Sequence, residues 1–244
     1  MKKFIVWIIA LSVAGCAMRQ QTYYWRVKDV VLGYGLAIEL HTPDDRIALS
    51  VPTRTMQEMM LAHLRINRSA GIQSELYLFD GEEPNAFTSI INNRQRVIGI
   101  NLGMVRLIGG DADEYAALIG HEAAHWAKGH VNTGQMRTST LNALGTMVGV
   151  GLSAAGVPAA GLISGLGADL IDSSYNREQE READAASIEY MVANHYNPRA
   201  AITLHEKFLK IDQGVRLPFL SSHPSSEERI ENLKAIIESK KDRR

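Results

Sequence analysis

The stretch His121-Glu122-Ala123-Ala124-His125 constrains this chain more than any other. Imidazoles at i and i+4 leave the same face of a helix, so both can reach one metal ion only if the segment is helical. The glutamate between them projects to one side. It is therefore no third ligand, but it is placed to take a proton from a water that the metal activates. The neighbouring residues supply the helix. Asp111 and Glu114 have the spacing of a capping box, with Asp111 accepting from the first amides and Glu114 reaching back. Tyr115, Leu118, Ile119, Glu122 and Trp126 then recur at helical spacing as far as Gly129, and no proline interrupts the run. The pattern predicts one zinc ion per chain, held by three protein ligands with a fourth position open.

Cys16 is the only cysteine, which excludes a thiolate-rich structural metal site. The third ligand is expected in the strongly helix-forming run Tyr175–Asp184. Glu180 and Asp184 are four residues apart and share a face. One carboxylate can bind the metal while the other accepts a hydrogen bond from the free ring nitrogen of a ligating histidine. Glu178 and Glu182 are also available on spacing alone. His130 lies five residues beyond His125, about 500° further round a continued helix, and is not a fourth ligand on that geometry. His63, His195 and His205 read as structural.

Together, His121-Glu-Ala-Ala-His125 and Asn176-Arg177-Glu-Gln-Glu180-Arg-Glu-Ala-Asp184 resemble the gluzincin metallopeptidases of the CAAX prenyl protease and HtpX type, on the side of their periplasmic BepA- and LoiP-like lipoproteins. Asn85-Ala86-Phe87 resembles the Asn-Ala-aromatic element ahead of the active-site helix. His223-Pro224 with Arg229-Ile230 resembles a His-Pro…Arg-Ile element near the end. The likeness runs over about residues 55 to 235. It departs at Asn176, where the family often has serine. The resemblance implies that Glu180 is the third ligand, that Asp184 and Arg177 support the ligands, and that His223 and Asn85 steady an oxyanion beside the metal. Such donors each supply a few kcal/mol of transition-state stabilisation. It also implies a peptidase of protein quality control, with unfolded or misassembled envelope proteins as substrates. A second class remains in view, a lipoprotein chaperone or assembly factor whose metal site is latent, with His223 in the open position.

Residues 1–15 read as a lipoprotein signal peptide: Lys2 and Lys3, then an apolar core from Phe4 to Leu11 that is far short of the roughly 20 residues needed to span a bilayer. Val13-Ala14-Gly15-Cys16 resembles a bacterial lipobox, which makes Cys16 the lipidated residue. Ala17 after it implies an outer-membrane lipoprotein facing the periplasm. Removing the leader leaves 24 basic residues (26 less Lys2 and Lys3) against 27 acidic ones. That balance argues against nucleic acid as a partner.

The expected organisation is a lipidated tether and N-terminal segment over 16–54 and a zinc metallopeptidase domain over 55–244. The fold class is α+β, mainly helical and zincin-like, with a small sheet beside the HExxH helix. A helix opens at Thr55 with Met56, Met59, Met60, His63 and Leu64 facing inward and ends near Gly71. Strands are expected over Glu75–Asp80 and Gln95–Asn101, and a short helix over Leu102–Ile108. Thr138 to Ala168 contains no charged residue and reads as a buried or self-packed helical hairpin of small residues, with a lid over the active site or shallow membrane contact as the alternative. Further helices follow from Pro198 to Leu209 and from Ser226 to Ser239.

Overall fold

The computed structural model describes residues 24–31, 35–41, 47–91, 95–131, 175–212, 217–223 and 227–241. Cys16 and the uncharged segment 138–168 lie outside them. In the described residues, β1 (Tyr24–Arg26) runs into α1 (Val27–Val30), followed by a hairpin of β2 (Ala37–His41) and β3 (Ile47–Pro52) and by α2 (Thr53–Ala70). Next come β4 (Glu75–Phe79), β5 (Ala86–Ile91), β6 (Gln95–Asn101), α3 (Leu102–Ile108) and α4 (Ala112–Ala127). The last described helices are α5 (Arg177–Ala193), α6 (Arg199–Asp212), α7 (Pro218–Ser222) and α8 (Glu227–Lys241). This is the mainly helical α+β arrangement expected.

The main sheet has the order β1-β4-β6-β5. β4 and β6 are parallel, and the two outer strands run antiparallel to their neighbours. The segment before residue 55, expected as a tether and an ordered N-terminal piece, supplies β1, and its Trp25, Val27, Ile38, Leu40 and Val51 enter the main core. β5 is absent from the sequence expectations, although its Phe-Thr-Ser-Ile-Ile run is rich in aromatic and β-branched residues that suit a pleated surface. Gly99 on β6 makes room for it, because a Cβ there would meet the Phe87 ring at 2.5 Å.

The centre of the fold is α4. It packs against α2, α5 and α6 and reaches strands β5 and β6. Every residue from Glu114 to Trp126 is buried, the pattern of a helix enclosed on all sides. Small side chains permit the close approach: a Cβ on Gly120 would stand 2.6 Å from the Ser187 hydroxyl of α5, which donates to the Ala117 carbonyl at 3.0 Å.

Three local expectations are corrected. Asp111 caps α4 as expected, accepting from the amides of Asp113 and Glu114. The Glu114 side chain, however, does not reach back; it turns inward to Lys207 Nζ at 2.5 Å and the Thr203 hydroxyl at 3.0 Å on α6. Glu114 is 2 % exposed, and a polar group buried that deeply requires such hydrogen-bond partners. In α2 the buried stripe runs through Met56, Met59, Ala62, His63 and Ile66, while Leu64 is 53 % exposed. The helix turns its Ala62–Ile66 edge to the core, so Leu64 falls just outside the apolar arc. The same helix opens at Thr53, two residues before Thr55, because Pro52 ends β3 directly at its N-cap. At α5, Asn176 with Gln179 forms a complete capping box. Asparagine caps as well as serine does, so the departure from the family pattern costs this helix nothing.

Candidate metal centre

Four buried side chains from three parts of the chain converge: His121 and His125 on α4, Glu180 on α5, and His223 directly after α7. One ligand atom from each lies within 4.8 Å of all the others. His121 Nε2 is 3.1 Å from His125 Nε2 and 3.6 Å from Glu180 Oε2. Glu180 Oε1 is 3.4 Å from His125 Nε2 and 3.1 Å from His223 Nδ1. His223 Nδ1 is also 3.2 Å from His121 Nε2. Four donors set about 2.05 Å from a common centre at tetrahedral angles are about 3.3 Å apart. The cluster therefore has the size of a zinc site.

Its proton inventory agrees. His121 Nδ1 faces Asp184 Oδ1 at 3.0 Å and donates to it. A neutral His121 then turns a lone pair from Nε2 toward the same point as the other three donor atoms. Lone pairs and a carboxylate converging at this range repel one another unless a cation lies between them. The site fits zinc.

The supports of the cluster form a buried ion network. Arg229 on α8 holds Asp184 bidentately, with Nε to Oδ2 at 2.9 Å and Nη2 to Oδ1 at 2.7 Å. Its remaining Nη1 contacts Glu180 Oε2. Burial alone would raise both carboxyls, but Arg229 and His121 hold Asp184 well below the usual carboxylate range. The facing histidines do the same for Glu180. Burial drives His125 far below the ordinary imidazole value. The planes of the rings are fixed by stacking. Tyr175 lies against His125 with centroids 3.6 Å apart, and Phe219 against His223 at 4.6 Å.

Glu122 is different. It is fully buried, neither of its oxygens has a hydrogen-bond partner among the described residues, and burial raises its pKa. The His223 ring stands beside it, with Nε2 3.5 Å from Oε1. The group is thus held beside the four donors without being tied to them.

The structure brings His121, Glu122, His125, Glu180, Asp184 and His223 into one cluster. It does not bring Arg177 there. That side chain is 85 % exposed and among the described residues pairs with Glu228, at 3.8 Å, because the first turn of α5 projects into solvent before the helix enters the core. The role expected of Arg177 falls to Arg229, a residue quoted in the sequence only as part of a motif and given no contact. Asn85 stands at the start of β5. Its backbone exchanges hydrogen bonds with Asn101, and its side chain makes none with the described residues. His63 pairs with Ser74 and Asn67 in the core under α2, away from any ligand set. Missed altogether is the Schellman turn that ends α4 and carries His130, although Gly129 announces such a helix stop in the sequence.

No packing requirement explains a carboxylate placed as Glu122 is. An ionisable group kept buried and unpartnered beside a metal-binding face weakens the fold, and such groups concentrate at reaction centres. That combination defines a metallopeptidase of the HExxH type. The chain belongs to peptidase family M48, whose sequence profile matches residues 52–237. It is 29 % identical to the metalloprotease LoiP of Escherichia coli over 137 residues, a stretch spanning 54 % of each chain. It is 27 % identical to the protease HtpX of Xanthomonas euvesicatoria over 237 residues, covering 83 % of this chain and 76 % of that one. With the mitochondrial metalloendopeptidase OMA1 of Arabidopsis thaliana it shares 28 % identity over 69 % of this chain and 32 % of that protein.

Proposed function

We propose that this chain is a zinc-dependent endopeptidase of the bacterial cell envelope that hydrolyses peptide bonds of misfolded or unassembled proteins. The observation that carries the reading is Glu122, buried and, among the described residues, unpartnered beside four donors at zinc spacing. His121, His125 and Glu180 hold the ion. Zinc, when bound, supplies a Lewis acid that makes water nucleophilic near neutral pH and polarises a carbonyl. Glu122 accepts the proton of the attacking water and returns it to the leaving amine. Asp184 keeps the proton of His121 on Nδ1, and Arg229 locks Asp184 in place.

Substrate access follows from the sheet. β5 pairs with β6 on one side and with no described strand on the other, and it lies against α4. An extended peptide can add to that edge through main-chain hydrogen bonds, a mode that tolerates many sequences and suits unfolded chains. His223 and Asn85 remain the proposed oxyanion donors. The test is digestion of casein by the wild type and by Glu122→Gln, with zinc content measured in both. Cleavage should fall by about 10²–10⁴-fold in the variant while zinc is retained. Equal cleavage by the two would remove Glu122 from the reaction.

One observation favours a second reading, that of a latent site in a chaperone or assembly factor. His223 Nδ1 stands among the donors, where a catalytic site keeps an opening. If His223 blocks that position, His223→Ala raises casein cleavage; if it serves the reaction, the same change lowers it. The proposed address, an outer-membrane lipoprotein facing the periplasm and anchored through Cys16, rests on the sequence of residues 1–17. Acyl-chain labelling that persists in Cys16→Ser would overturn it.

A further inference from the structure

The two histidines of α4 are supported differently. His121 gives its Nδ1 proton directly to a carboxylate, Asp184. Among the described residues, His125 has no carboxylate at its Nδ1. It has another imidazole: His130 Nδ1 stands 3.1 Å away, and His130 Nε2 reaches Glu182 Oε2 at 2.9 Å.

The backbone explains why His130 is there. α4 ends in a Schellman motif. Gly129, at φ +72, donates to the Trp126 carbonyl, and the His130 amide donates to the His125 carbonyl at 3.0 Å. This turn brings the residue after the glycine back over the third-last residue of the helix. The pair that meets there is ordinarily apolar; in this chain it is two imidazoles. His130 leaves the helical course, so counting degrees round a continued helix does not locate it.

The tautomers in this chain of contacts are forced. With Nε2 of His125 turned to the metal position, its proton is on Nδ1. The facing Nδ1 of His130 must then accept, which leaves the His130 proton on Nε2, directed at Glu182. We infer that His130 and Glu182 are positioning residues for His125, acting as a two-step relay that fixes its tautomer and ring plane for metal binding. The inference rests on the zinc site proposed above. It also gives a role to Glu182, which spacing alone left as a candidate ligand.

The test is zinc affinity of the full chain, measured by competition with a chromogenic chelator at fixed pH, alongside the melting temperature of the metal-free protein. In His130→Asn, Oδ1 stands where Nδ1 stood and still accepts. In His130→Leu nothing accepts. We expect His130→Leu to raise the zinc dissociation constant about 10–100-fold, His130→Asn to stay within about threefold of wild type, and Glu182→Ala to shift the same way by less than His130→Leu. The melting temperature of metal-free His130→Asn should match that of the wild type. Unchanged affinity in His130→Leu overturns the relay, as does a loss in His130→Asn as large as that in His130→Leu, which would assign His130 to packing. Failure of the wild type to bind one zinc ion overturns the metal site and the relay together.

Discussion

At the scale of single residues, what separates the histidines of this chain is what each faces. Those at positions 121, 125 and 223 point at one another and at Glu180, at a spacing that fits a metal ion. His63 is buried among neutral partners in the core, and burial lowers its pKa to about 4. That shift predicts a pH effect of definite sign. An unfolded imidazole takes up its proton near pH 6.5, while the folded one resists until about pH 4, so the unfolded state binds more protons between those values. Stability is therefore lost as pH falls through that window, by about 2 kcal/mol between pH 7 and pH 5 from this residue. In His63→Gln the amide reaches the position of Nε2 without titrating. Urea unfolding at the two pH values should show the variant losing about 2 kcal/mol less than the wild type. Equal losses would mean that His63 is protonated in the folded protein.

At the scale of elements, the site depends on two helices packed through small side chains. His121 and His125 ride on α4 and Glu180 and Asp184 on α5, so their spacing is set by the contact of Gly120 with Ser187. In Gly120→Ala the new methyl group meets the Ser187 hydroxyl, which must leave its bond to Ala117 or push α5 away, and the change is expected to cost about 1–3 kcal/mol, with zinc affinity falling in parallel. Ser187→Ala alone gives up its hydrogen bond to Ala117, worth about 1 kcal/mol. In the double variant the overlap is relieved, so the combined loss should be smaller than the sum of the two. A double-mutant cycle measures this directly, and strict additivity would show that Gly120 does not set the gap. These packing details were poorly legible in the sequence. Helical periodicity identifies α4 and α5 but not which turn of one lies on the other. The same gap explains Arg177 and Arg229. Both stand beside acidic residues in the sequence, and only the docking of α8 onto α5 puts one guanidinium inside and leaves the other in solvent.

At the scale of the molecule, the metal site joins α4, α5 and the segment after α7, so the ion should act as a tie across the fold. Zinc bound only by the native state stabilises it by about 4 kcal/mol when present at a thousandfold excess over its dissociation constant. For a chain of this size that corresponds to about 10 °C in melting temperature. Calorimetry before and after chelation should show the drop, and restoring zinc should reverse it. An unchanged melting temperature would place the ion outside the structural core. The sequence by itself determined the chemistry. His121, Glu122 and His125 belong to one helix, and their i, i+1, i+4 geometry is local, so it survives any arrangement of the rest. Helix stops, caps and most of the helical course were readable for the same reason. Only the tertiary structure decided which carboxylates and which guanidinium complete the site, that Glu114 turns inward to Lys207, that β5 is the outer strand of the sheet among the described residues and lies beside α4, and that His130 backs His125. Each of these depends on contacts between residues far apart in sequence or on the chain leaving a regular helix, and periodicity carries no information about either.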